Sequence, residues 1–242
     1  MSDSSIPLPR MTTRLFSLLL ALTLSASAAL AEDPPPTGDE ILRLVRLSNA
    51  LQNYKLTGTL RDSTTGRSEA FTLNMEQNIM RFRFSNPNLI VHLDQNTAPA
   101  SLKIVQAGGS GAVPLAQYGE KVRGFAMNYE DLSMRFLYWP GAKLLGEESY
   151  KTQKCWKVRV SSPDRATPYG TVDLWVHQAS GGIAKMDAYD FQGKQVKHFE
   201  VGKIQKVDGT TILKEMKIES FPPGSTKSDG RTYMTLDNPE RN

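Results

Sequence analysis

Cysteine is almost missing from this sequence: 242 residues hold one, Cys155. No intrachain disulfide can form, which excludes a disulfide-stapled scaffold and a thiolate zinc site. Histidine is scarce too, and His92, His177 and His198 leave little room for a metal cluster. Neither charge sign dominates, with 29 Lys and Arg against 25 Asp and Glu, and no basic block marks a nucleic-acid surface. No G-x-S-x-G elbow, H-E-x-x-H helix or P-loop occurs. Gly108-Gly109-Ser110-Gly111 is glycine-rich but lacks the Lys-Ser/Thr of a phosphate cradle, so residues 107–114 read as a flexible loop. Glu147-Glu148 would point to opposite faces of a strand and cannot act as an acid–base pair. Glu130-Asp131 suits the first turn of a helix, where carboxylates meet the positive dipole end. Cys155 and His177 fall where neighbouring strands can juxtapose them. Nothing supplies an orienting third group or an oxyanion hole, so Cys155 reads as an inert, structural thiol. The sequence therefore points away from an enzyme and implies no cofactor.

What is present is ordinary globular chemistry, with 39% apolar residues, 18 glycines and 22% charged residues. That mix excludes a disordered chain, a coiled coil and a collagen-like repeat. The N-terminus carries a targeting signal. Arg10 and Arg14 flank the start of an apolar run over residues 15–24, and Ala29-Leu30-Ala31 is a small-x-small cleavage site. This predicts a signal peptide over residues 1–31 cleaved after Ala31, with Met11 as an alternative start. The run is too short to span a bilayer, and no cysteine stands at the cleavage site to take a lipid anchor. Residues 32–37 form a Pro-rich linker, and residues 38–242 read as a single domain. Losing Arg10, Arg14 and Asp3 with the signal turns the formal net charge of +4 into +3. So mild an excess allows only weak attraction to anionic lipid or acidic chains.

Thr37 and Glu40 have capping-box spacing, and Ile41, Leu44, Val45 and Leu51 follow at helical intervals, predicting a helix over 38–52. From Tyr54 the period becomes two. Short alternating runs bounded by turn residues predict an antiparallel meander. A second helix is expected over 129–138, stopped by Trp139-Pro140-Gly141. Alternation resumes from Leu144, with Trp175 on the polar side of its strand and Asp208-Gly209 as a hairpin turn. The whole reads as mainly β with two helices, with about ten or eleven strands.

Phe71, Leu73, Met75, Met80, Phe82 and Phe84 should share one face of adjacent strands. That face is either an ordinary core or the wall of an apolar cavity in a curled sheet, because large twisted sheets curl or close. Leu56, Leu89 and Val91 extend the same face, and Leu132 and Phe136 supply the apolar side of the second helix.

The runs YEDLSMRFLYWPG (129–141), YGTVDLWV (169–176) and IAKMDAYDFQG (183–193) look like stretches of outer-membrane lipoprotein-sorting (LolA-like) proteins. The resemblance spans about residues 38–239 and is nearest to an uncharacterised branch of that superfamily. It implies an incomplete antiparallel β-barrel covered by helices, with a cavity for acyl chains. No functional residue of the lipoprotein chaperone has a clear counterpart here, so none is carried over. The resemblance implies a periplasmic carrier or chaperone, with acyl chains of lipoprotein or free lipid as partners and transient membrane contact. The alternative is an envelope binding or sensor module that uses the same fold to recognise a protein partner. The eleven apolar residues named above are the candidate lining.

Overall fold

The computed structural model describes residues 34–48, 54–97, 101–106, 108–207 and 209–241. The expected signal peptide, the end of the first helix (Leu51, Gln52) and Asp208 lie outside the described residues. All elements below belong to one unit, residues 35–242.

Helix α1 (Gly38–Ser48) starts as its capping box predicts. Glu40 accepts from the Thr37 backbone N–H at 2.8 Å, and the Thr37 hydroxyl accepts from the Glu40 N–H at 3.3 Å. Its buried stripe is Ile41, Leu42 and Val45, whereas Leu44 is 39% exposed. The expected stripe was therefore off by part of a turn: Leu44 lies beside the turn at Gly181, at the rim of the packing surface.

Among the described residues fourteen strands follow, against the ten or eleven expected. They are β1 (Tyr54–Asp62), β2 (Ser68–Glu76), β3 (Ile79–Ser85), β4 (Asn88–Asp94), β5 (Ser101–Gln106) and β6 (Gly109–Ala112). After a long crossing come β7 (Lys143–Tyr150), β8 (Gln153–Ser161), β9 (Thr171–His177) and β10 (Ile183–Tyr189). Last are β11 (Gln195–Val207), β12 (Thr210–Ser220), β13 (Gly230–Leu236) and β14 (Glu240–Arg241). The two elements that carry no alternation are β6 and β14. The first is Gly-Ser-Gly-Ala and the second has two residues, so only their pairing with β5 and β1 defines them. Half of the expected loop over 107–114, Gly109–Ala112, is thus an edge strand.

The strands form one antiparallel curved sheet in the order β6-β5-β4-β3-β2-β1-β13-β12-β11-β10-β9-β8-β7, with β14 on β1. The sheet is open. Its two edges, β6 and β7, are consecutive in the chain, so residues 113–142 must travel from one edge to the other. They do so as 3₁₀ turns at Leu115–Gln117 and Val122–Gly124, a short helix α2 (Tyr129–Ser133) and a 3₁₀ turn at Arg135–Tyr138. The helix expected over 129–138 is broken at Met134, which takes the left-handed conformation at φ 46°. The Ser133 hydroxyl caps that break by donating to the Glu130 carbonyl at 2.9 Å and accepting from the Arg135 N–H at 3.4 Å.

Gly58, in the middle of β1, has a packing reason. A Cβ there would lie 2.5 Å from the Thr235 carbonyl oxygen and 2.7 Å from Cζ of Phe71. The missing side chain lets the Phe71 ring lie over β1. Gly58→Ala is expected to lower stability by about 1–3 kcal/mol through overpacking, measured by urea unfolding. A change near zero would mean that the ring sits elsewhere.

Candidate functional site

Strand alternation sends one set of side chains from β1 to β5 onto the inner face of the sheet. Register aligns them in rows. Leu56 opposes Leu73, which opposes Phe82, which opposes Val91. The next row runs Phe71, Phe84, Leu89, and a third pairs Met75 with Met80. All nine strand residues singled out from the sequence therefore meet on one surface, each at most 9% exposed. The Phe71 ring lies 6.2 Å from those of Phe82 and Phe84 in tilted contacts. Leu132 and Phe136 are buried in the same apolar cluster, on the crossing segment instead of the sheet.

That segment covers the inner face. Val113, Tyr118, Val122, Phe125, Leu132 and Phe136 are among its buried apolar residues. Two clefts of about 310 and 260 Å³ are found, one beside β6 and the other beside Gly193–Gln195, and neither is lined by the nine face residues. The face is thus a covered surface in this structure.

Polar groups fix the cover at its two flanks. Near β2 and β3, Arg123 takes a left-handed conformation at φ 53° that aims its guanidinium back at the sheet. It pairs with Glu69 at 2.5 Å, donates to the Asn86 and Pro87 carbonyls and lies 5.7 Å from the Phe84 ring centroid. Arg67 donates to the Arg123 carbonyl and stacks on Phe125 at 4.3 Å.

The second anchor is buried. Asn128 caps α2 in a reciprocal capping box with Asp131, each side chain accepting from the other's backbone N–H at 2.8 Å. The same Asp131 carboxylate accepts from the Tyr169 hydroxyl at 2.5 Å and pairs with the Lys197 ammonium at 3.1 Å. Lys197 also donates to the Ala126 carbonyl, and the Ala126 N–H donates to the Thr232 hydroxyl at 2.9 Å. Beside this group, Arg135 pairs with Glu130 at 2.6 Å, donates to the Ala166 carbonyl at 3.1 Å and lies 4.6 Å from the Tyr118 ring centroid. Burial holds the Glu130 carboxyl above its ordinary range despite Arg135, and burial followed by the Asp131 charge pushes the Tyr169 phenol up. Glu130 and Asp131 do occupy a helix first turn. Their role is to tie the cover to β11 and to the loop before β9.

Sequence reasoning missed Asp131, Tyr169, Lys197, Arg123 and Glu69 as a group. A signal existed for two of them. Lys197 has the inward parity of Phe199 and Val201, and Glu69 has that of Phe71 and Leu73. A charge at an inward strand position implies a partner arriving from above the sheet.

Cys155 and His177 are direct cross-strand neighbours, as strand order required. They do not form a nucleophile–base pair: the Cys155 thiol contacts the Gln153 carbonyl at 3.7 Å, and His177 Nδ1 contacts the Ser180 hydroxyl at 2.8 Å. Cys155 is fully buried, and burial raises its thiol pKa. It should ignore a thiol reagent in the native protein and react only on unfolding; rapid native-state labelling would contradict this. Among the described residues no cluster of His, Cys, Asp and Glu is placed to hold a metal ion. Among the same residues no helix is long and apolar enough to cross a membrane.

A family model described only as uncharacterised protein-like matches residues 114–242, more than half of the chain. No protein of curated function matches it. Several solved structures share its fold. A protein described as an outer-membrane lipoprotein-sorting protein domain, from Vibrio parahaemolyticus, aligns with a TM-score of 0.70 at 12% identity, covering 84% of this chain and 92% of its own. A DUF1329 family protein from Desulfovibrio piger aligns at 0.67 and 13%, covering 85% and 93%. A LolA superfamily protein from Nitrosomonas europaea aligns at 0.66 and 14%, covering 86% and 94%.

Proposed function

Because the chain belongs to this family of uncharacterised proteins and has a LolA-like fold, we propose that it is an exported, non-enzymatic carrier or binding protein for acyl chains. One observation carries the reading. A continuous apolar face is covered by a single connection between the two sheet edges, and that connection is held by polar groups at its flanks. A segment attached this way can shift as a unit and let an acyl chain take its place on the face. Each CH₂ taken out of water contributes about 0.8 kcal/mol, so a chain of about 16 carbons gains on the order of 10 kcal/mol. Displacing the cover and ordering the chain oppose that gain. In this reading the sheet and its cover make an incomplete barrel, and lipid-modified protein or free lipid is the cargo.

The test is mass spectrometry of lipids that co-purify with the mature protein, paired with titration by a fluorescent fatty acid. Bound acyl chains in both support the carrier. A lipid-free protein that ignores the probe and captures one envelope protein would replace it with a partner-recognition module. Residues 1–31 would be the signal peptide, 32–37 the linker and 38–242 the working domain in the periplasm. N-terminal sequencing of the envelope fraction should begin at Glu32; an intact Met1 or Met11 terminus in the cytosol would overturn export.

A further inference from the structure

The outer face of the sheet divides into two halves with different charge chemistry. Over β8 to β13, cations stand beside carboxylates. Arg159 grips Asp173 through two contacts of 2.6 and 2.7 Å, Lys185 meets Asp187 at 2.9 Å and Lys217 meets Glu200 at 2.9 Å. The Glu200 carboxyl is correspondingly lowered to about 2, chiefly by Lys151 and Lys217.

Over β1 to β5 the pattern is the opposite. Register places Lys55, Asn74, Arg81, His92 and Lys103 in one row across five strands. Arg81, His92 and Lys103 are immediate cross-strand neighbours, and Arg83 stands two residues from Arg81 on the same face. Two exposed carboxylates reach this row, Glu76 on Arg81 and Glu240 on Lys55, each at 3.6 Å, and Asp94 follows His92 by two residues on the same face. Among the described residues no carboxylate forms an ion pair with Arg83 or Lys103, and both are exposed. Burial first, and the Arg81 charge next, hold the His92 pKa below its ordinary value, with Asp94 opposing. Between these cations lie half-buried Ile90 and Val105, and this row has no aromatic ring for a base to stack on.

We propose that the outer face of β1–β5 is a docking surface for an anionic phospholipid bilayer, with Arg81, Arg83 and Lys103 meeting headgroup phosphates. The row from Lys55 to Lys103 spans four strand spacings, about 19 Å, enough to meet several headgroups. Half-buried aliphatic side chains among basic ones suit a membrane interface. A nucleic-acid surface would use stacking platforms, which this row lacks. The surface lies on the side of the sheet away from the covered apolar face, so it does not depend on acyl-chain carriage and can succeed or fail separately.

The experiment is co-sedimentation of the mature protein with vesicles of phosphatidylglycerol and phosphatidylcholine, against vesicles of phosphatidylcholine alone. Binding should require the anionic lipid and weaken with added salt. A basic residue near an anionic surface is worth about 1 kcal/mol, roughly fivefold in affinity. Arg83→Gln with Lys103→Gln should therefore lower vesicle affinity about 25-fold, while circular dichroism and fatty-acid titration stay unchanged. Lys154→Gln with Lys194→Gln removes the same charge elsewhere and should change affinity far less. Equal loss in that control would show that net charge, not this face, binds. Equal binding to neutral vesicles, no binding at all, or tighter binding to an oligonucleotide or polyglutamate than to anionic vesicles would each overturn the proposal.

Discussion

Asp131→Ala should lower stability by about 3–5 kcal/mol, because it leaves the Lys197 ammonium buried without its carboxylate. The same change deletes one half of the capping box and the acceptor of the Tyr169 hydroxyl. For a chain of this size that loss corresponds to a Tm lower by about 6–20 °C. Asp131→Ala combined with Lys197→Met should recover much of the loss, since removing both charges leaves no uncompensated ion. Denaturant unfolding of wild type, the two single variants and the double variant closes the cycle. Because the damage is to the cover's anchor, Asp131→Ala should also bind a dye for exposed apolar surface and take up fluorescent fatty acid more readily than wild type. A stability loss under about 1 kcal/mol would mean that this cluster does not hold the cover.

Phe82→Ala should cost a similar amount, about 3–5 kcal/mol. Phe82 lies between Leu73 and Val91 in its row and beside Phe71, and it is 6% exposed. Truncation leaves a void that backbone-paired strands cannot collapse to fill. Were the face open in solution, its outer side would already lack packing partners and the cost would be smaller. Phe82→Ala thus reports whether the cover is closed in the empty protein. Adding fatty acid should return part of the lost stability to this variant, because acyl chain can occupy the space. A small stability loss together with unchanged probe binding would show that neither the closed cover nor the acyl site involves Phe82.

Several features were legible because they depend on local chemistry. Alternation in 71–75 and 80–84 assigned Phe71, Leu73, Met75, Met80, Phe82 and Phe84 to one face, and register made them direct neighbours. Thr37 and Glu40 marked the start of α1. Alternation puts Trp175 on the polar side of its strand, and there it donates to Glu148 at 2.7 Å with Lys185 at 3.9 Å from its ring centroid. Parity and capping need only the residue types and their spacing.

Other features were decided by the tertiary structure. Gly109–Ala112 is a strand only because β5 offers an edge, and its composition argues for a loop. The second helix stops at Ser133 because Glu130 and Arg135 pair across the break and bury together. The union of Asp131 with Tyr169 and Lys197 joins positions 38 and 66 residues apart, a distance no local pattern reads. Above all, the sequence by itself determined that this protein has a large antiparallel sheet with one apolar face. Only the strand order, which makes β6 and β7 opposite edges of an open sheet, decided that the chain between them must cross and cover that face. Edge position is a property of the complete pairing, and it comes from where β1 meets β13, a contact between strands at the two ends of the sheet's chain.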